Sequence, residues 1–70
     1  MSIESLASMT VAELKYERNL AKLNRVQIQL AMKGASREVR DELEDAVKEN
    51  REYVEIINAR IARLERVGRQ

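Results

Sequence analysis

Apolar residues along this chain recur every three or four positions, which is the spacing of amphipathic helices rather than of strands. Two long segments show the pattern, residues 11 to 32 and residues 37 to 66, and a shorter one covers residues 2 to 8. The sequence contains no proline that would interrupt them. The pattern predicts an all-α protein, a single domain over residues 1 to 70, with a short N-terminal helix and two long helices.

The segment between the long helices, residues 33 to 36, predicts a reversal of chain direction. Gly34 suits the left-handed position that ends many helices, because it has no Cβ, and Ser36 can accept hydrogen bonds from the N–H groups that open the next helix. Thr10, with Glu13 three residues later, predicts a capping box at the start of the first long helix. We therefore expect the two long helices to form an antiparallel hairpin.

The first long helix is apolar on two opposite sides, and the more regular side is predicted to face the second helix. That side consists of Ala12, Tyr16, Leu20, Leu23, Val26 and Leu30. If facing residues have numbers that add to about 69, this side matches the apolar stripe of the second helix. Asn19 then meets Asn50 and Tyr16 meets Tyr53. We expect the asparagine pair to fix the register, as buried asparagine does in coiled coils.

A hairpin of two helices forms only a thin core, and such pairs usually need further helices to close it. We expect a bundle completed by oligomerisation, with a dimer favoured, or by a helical protein partner. The residues predicted to remain free for that contact are Leu14, Ala21, Ile28, Met32 and Ile56. Alternatively, the N-terminal turns cover part of this side. In size and layout the hairpin resembles plasmid copy-number regulators that form four-helix bundles and small co-chaperones of type III secretion, although no residue role follows from this.

The formal net charge of +1 conceals an uneven distribution of charge. Residues 14 to 33 carry five basic side chains and one acid, whereas residues 38 to 55 carry eight acids and three basic side chains. In one interpretation the basic residues bind nucleic acid, and the candidates are Lys15, Arg18, Lys22, Arg25, Arg60, Arg63 and Arg66. In the other, they pair with the acidic helix, Arg18 with Glu52 and Lys15 with Glu55, at about 0–1 kcal/mol for each surface pair.

The composition excludes the commonest catalytic machinery. Without cysteine or histidine the chain cannot assemble a Ser-His or Cys-His nucleophile, or a metal site of thiolates or imidazoles. The carboxylates of the second helix stand among solvated charges, so we expect no metal, no cofactor and no small-molecule substrate. No apolar run approaches the roughly 20 residues of a membrane span, and the first residues lack a signal-peptide pattern, which predicts an intracellular, soluble, cytoplasmic protein.

These observations favour a non-enzymatic module for protein–protein interaction, such as a small adaptor, a chaperone-like protein or a structural subunit. It would act by self-association or by insertion into a helical bundle. A small nucleic-acid-binding regulator is the alternative, and it would use the basic residues of the first long helix together with the C-terminal arginines.

Overall fold

A computed structural model describes residues 3 to 68 of the protein, with the backbone alone for residues 3 and 4. This part of the chain contains three helices and no strand: α1 (Ile3–Leu6), α2 (Val11–Met32) and α3 (Arg37–Gly68). α2 and α3 pack along each other in opposite directions, which confirms the predicted helical hairpin. α1 is a single turn and is shorter than the predicted helix of residues 2 to 8. Ser2, the first residue of that prediction, lies outside the described residues.

The capping box at the start of α2 is formed as predicted. The Thr10 hydroxyl accepts a hydrogen bond from the backbone N–H of Glu13 at 3.2 Å, and the Glu13 carboxylate accepts one from the backbone N–H of Thr10 at 3.1 Å. Together they satisfy two N–H groups near the helix start. The backbone N–H of Thr10, which donates to this carboxylate, and after it the Thr10 side chain hold the pKa of Glu13 below its ordinary value.

The corner ends α2 by tightening its last turn rather than by a left-handed residue. The N–H of Lys33 donates to the carbonyl of Leu30 at 3.3 Å, and the N–H of Ala35 donates to the carbonyl of Met32 at 3.3 Å. Both bonds span three residues, as in a 3₁₀ turn. No described glycine has a positive φ, so the prediction of a left-handed Gly34 is wrong.

Ser36 caps α3 as predicted. Its hydroxyl accepts a hydrogen bond from the N–H of Val39 at 3.4 Å, and its carbonyl accepts one from the N–H of Arg40 at 2.8 Å. Glu38 lies in the first turn, where a carboxylate interacts favourably with the positive end of the helix dipole. The corner therefore combines a tightened helix end with a serine cap.

α2 turns toward α3 the apolar side that the sequence pattern assigned to the outside. Its two buried residues are Leu14 and Ala21, which are 0% and 8% exposed. On the side predicted to face inward, Tyr16 is 65% exposed and Leu23 is 63% exposed. The predicted orientation of α2 about its own axis is therefore wrong by about half a turn.

Polar contacts along the hairpin are consistent with this orientation. The side-chain amide of Asn50 donates to the backbone carbonyl of Ala21 at 2.8 Å, which it can reach because alanine carries only a methyl group. The Tyr53 hydroxyl donates to the Glu17 carboxylate at 3.0 Å. The numbers of the two pairs add to 71 and 70, close to the predicted 69. The levels at which the helices meet are thus nearly as predicted, whereas the face of α2 is not.

Neither of the predicted pairs of identical residues is formed. Asn19 and Tyr16 are both exposed, while Asn50 and Tyr53 bond to Ala21 and to a carboxylate instead. The Oδ1 atom of Asn50 is buried and has no hydrogen-bond partner. The asparagine on α3 therefore interacts with the backbone of α2 and not with a second asparagine.

The tightest packing lies at the end of the hairpin remote from the corner. Its buried cluster consists of Leu6, Leu14, Ile57 and Ile61, and the Arg60 guanidinium donates to the carbonyl of Ala7 at 2.9 Å. Leu6 thus belongs to the same buried cluster as two residues of α3. Between residues 22 and 46 no side chain is fully buried. The half of the hairpin nearest the corner therefore has a sparse core.

Candidate interaction surface

A row of large apolar side chains runs along the side of α2 that points away from α3. The row recurs at steps of three and four residues, so helical geometry places its members on one face. We call it the outer face of α2, and its residues with their exposed fractions are Tyr16 65%, Leu20 42%, Leu23 63%, Val26 51% and Leu30 57%. Single exposed apolar residues are ordinary on protein surfaces, whereas a continuous row is typical of an interaction site.

The outer face carries no charged side chain. Of the charged residues between its two ends, Glu17 bonds to Tyr53, and Arg18 donates to the side-chain oxygen of Asn58 on α3 at 2.9 Å. At about 100° per residue, Arg25 points to the rear of α2 and Lys22 to its flank. The polar residues within the face are Asn19 and Gln27, both exposed. Depletion of charge is a property of the centres of protein interfaces.

The residues predicted to meet a partner lie mainly inside the hairpin. Leu14 and Ala21 are buried, while Ile28 and Met32 are half-buried and line grooves between α2 and α3. The prediction that these residues remain free is therefore wrong for Leu14 and Ala21, because the inverted orientation of α2 buries them. Leu14 also packs in one cluster with Leu6, as the alternative of an N-terminal cover proposed. Ile56, on α3, is 39% exposed.

Intramolecular contacts engage several of the basic residues considered for nucleic-acid binding. Lys15 forms an exposed ion pair with Glu65 at 3.8 Å instead of the predicted pair with Glu55. Arg18 bonds to Asn58 rather than to an acid. Arg60 donates to the carbonyl of Ala7, and Arg25 is half-buried. Among the seven candidates, those that remain exposed without a described contact are Lys22, Arg63 and Arg66. They lie on two helices and form no single row.

Other kinds of site find no counterpart in residues 3 to 68. No group of three or more acidic, histidine or cysteine side chains there is arranged to hold a metal ion. None of the described helices combines the length and apolar character needed to cross a membrane. Comparison of the chain with protein-family models, with curated proteins and with solved structures finds no match.

Sequence reasoning identified the residues of the outer face but assigned them to the core. The signal that could have located the face is the position of the charges between residues 16 and 30. Glu17 and Arg18 lie beside the stripe that contains Leu14 and Ala21, where their long side chains can reach polar groups of α3. The opposite side is free of charge and regular, and regularity alone does not distinguish an intramolecular seam from an intermolecular one.

Proposed function

We propose that the protein is a non-enzymatic module for protein–protein interaction that acts by self-association through the outer face of α2. The observation that supports this most directly is the row of five large apolar side chains, 42 to 65% exposed and free of charge. A second copy would cover this face and would present an identical apolar face in return.

The energy available to this contact is of the right order for a reversible dimer. Full burial of a leucine-sized side chain is worth about 2 kcal/mol, so covering the remaining half gives roughly 1 kcal/mol for each. Ten such side chains across two copies provide about 10 kcal/mol, against an association cost of about 4–15 kcal/mol. At the lowest of these costs about 6 kcal/mol remains, which corresponds to a dissociation constant in the tens of micromolar, and we expect an association of about this strength.

Sedimentation equilibrium of the wild type and of Leu23→Glu tests the proposal. The wild type should approach twice the monomer mass of 8.1 kDa between about 1 and 100 µM, which corresponds to binding free energies of about −8.2 to −5.5 kcal/mol. Leu23→Glu places a charge in the middle of the apolar face and should remain monomeric while keeping its helical circular dichroism spectrum.

Gln29→Glu is the matched control, because it adds the same charge at an exposed position of α2 outside the outer face. It should sediment like the wild type. A wild type that stays at the monomer mass throughout this range, or a Gln29→Glu variant that dissociates as fully as Leu23→Glu, would refute self-association through this face.

The alternative function, nucleic-acid binding, receives less support from the structure. Lys15, Arg18 and Arg60 have partners within the chain. Arg18 and Arg60 donate to neutral oxygens, and these two hydrogen bonds would have to break before either guanidinium could bind a phosphate. Phosphate contacts are strongest at low salt. Retention of duplex or single-stranded nucleic acid at about 50 mM salt, lost on replacement of Lys22 and Arg63 by glutamine, would favour this function instead.

A further inference from the structure

The outer face of α2 has a symmetry that its role in a dimer would use. Counted from Leu23, apolar residues stand three positions away on both sides, Leu20 and Val26, and seven positions away on both sides, Tyr16 and Leu30. Four positions away on both sides stand residues with side-chain amides, Asn19 and Gln27. The face therefore presents the same order of apolar and amide groups when it is read in either direction.

This symmetry does not extend to the side of α2 that packs on α3. There, positions equally distant from Leu23 hold unlike residues: Ala21 and Arg25 at two positions, Arg18 and Ile28 at five, Glu17 and Gln29 at six. Only the ends of that stripe, Leu14 and Met32, match in character. The reversible order is thus a property of the exposed side of the helix and not of α2 as a whole.

A reversible order is what an antiparallel, two-fold symmetric contact between identical helices requires. In such a contact, residues equally far before and after the central residue lie level with each other across the interface, because each copy runs in the opposite direction. With Leu23 at the centre, Tyr16 is level with Leu30 of the second copy. Asn19 is level with Gln27 of the second copy, where the two amides can bond to each other instead of facing an apolar side chain.

We propose, on the basis of the self-association described above, that two copies pack α2 against α2 in antiparallel orientation with Leu23 at the two-fold axis. The two corners then point in opposite directions, and the Tyr16 end of each outer face lies against the Leu30 end of the other. A parallel contact would match each residue with itself whatever the sequence, so it has no need of a reversible order. The antiparallel contact also sets the two helix dipoles in opposite directions, which is the favourable arrangement.

Disulfide cross-linking tests the orientation, and the absence of cysteine from the sequence makes each introduced thiol unique. In the antiparallel dimer, residue 16 of one copy lies about 21 Å along the axis from residue 16 of the other, because the level changes by 1.5 Å per residue. A disulfide requires Cα atoms within about 7 Å. Tyr16→Cys and Leu30→Cys should each fail to cross-link alone, and an equal mixture of the two should give a mixed disulfide dimer.

Intact mass distinguishes the mixed dimer from either self-linked one, since the two variants differ in mass. Leu23→Cys should cross-link to itself, and Gln29→Cys, which lies off the outer face, should not. Asn19→Cys and Gln27→Cys provide a second pair that removes no apolar side chain, in case the first pair weakens association. Each thiol variant is first shown by sedimentation, in the reduced form, to associate.

The outcomes separate this inference from the function on which it rests. Self-linking of Tyr16→Cys or of Asn19→Cys would show a parallel contact and overturn the inference while self-association stands. A wild type that sediments as a dimer while no position of the outer face cross-links would overturn both the face and the orientation. A monomeric wild type would remove the proposed function, and the inference with it. Mixed disulfides for both pairs, without self-linking, would establish the antiparallel arrangement.

Discussion

Replacement of Asn50 by leucine should stabilise the hairpin, although it removes a buried hydrogen bond. Leucine has the same branched shape and the same number of heavy side-chain atoms, so the packing changes little. The bond from Asn50 to the carbonyl of Ala21, 2.8 Å long, is worth about 0.5–1.5 kcal/mol. Against this, the buried Oδ1 atom has no partner, which costs about 1–3 kcal/mol that leucine does not incur.

The difference predicts an increase of about 1 kcal/mol in the free energy of unfolding, before any gain from the apolar contacts of leucine. Urea denaturation followed by far-ultraviolet circular dichroism measures it, at one protein concentration because association would shift the midpoint. Asn24→Leu, at an exposed position of α2, is the control and should change stability by no more than about 0.5 kcal/mol.

Asn50→Asp tests the same contact by removing the hydrogen-bond donor while an oxygen remains at Oδ1. It keeps the shape but replaces the donating amide by a carboxylate that faces a carbonyl oxygen, and it should cost about 3–5 kcal/mol at neutral pH. The loss should shrink in acid, where a protonated carboxyl can donate to Ala21. A loss of stability of more than about 1 kcal/mol in Asn50→Leu would refute the reasoning, since it would mean that Oδ1 has a partner or that the bond to Ala21 outweighs the burial cost.

Two further predictions follow from the corner and from Tyr53. Gly34→Ala should stabilise the protein by about 0.4–1 kcal/mol in urea denaturation, because φ is not positive at Gly34 and an added Cβ meets no atom within 4 Å. A loss of stability of similar size would instead indicate that Gly34 is left-handed. Burial first, and then the Glu17 carboxylate, raise the pKa of Tyr53 above 10.0. The stability that the Tyr53 hydroxyl contributes is therefore complete below pH 10 and is lost as the pH rises through the higher pKa of the folded state. Near-ultraviolet titration of Tyr16→Phe, which leaves Tyr53 as the sole tyrosine, should show this raised pKa; Glu17→Gln in that background should lower it, and an unchanged midpoint would exclude the contact.

The helices and the corner were predictable because local signals determine them. Thr10 and Glu13 define the start of α2 through bonds between residues three apart, and Ser36 does the same for α3. These groups act within one turn, so the sequence contains the whole cause. The conformation of Gly34 was not predictable in the same way, because a helix can also end by tightening its last turn, and glycine permits both endings.

The orientation of α2 was not predictable because two apolar sides competed and the decision is tertiary. Ala21 gives Asn50 access to a backbone carbonyl, and Glu17 gives the Tyr53 hydroxyl an acceptor. Neither contact has a counterpart in the periodicity of the sequence. The alignment of α2 and α3 along their axes was predicted nearly correctly, since the short corner fixes this alignment whatever the rotation of α2 about its own axis. As a consequence, the sequence pattern identified both apolar sides of α2 but predicted the outer face to lie inside the hairpin and the side with Leu14 and Ala21 to lie outside it.

The position of the buried cluster has a consequence for how the chain folds. Hairpins with a well-packed corner can form first near the turn and extend outward, since the residues that meet there are close in sequence. Here Leu14 and Ile57 share the tightest cluster although they are 43 positions apart, whereas Leu30 and Val39, nine positions apart across the corner, remain exposed. Closing the longer loop costs about 1.4 kcal/mol more in chain entropy. We therefore expect the transition state to bring the segments around Leu14 and Ile57 together before most of the apolar burial is gained, so that the hairpin closes from its open end and not from its corner.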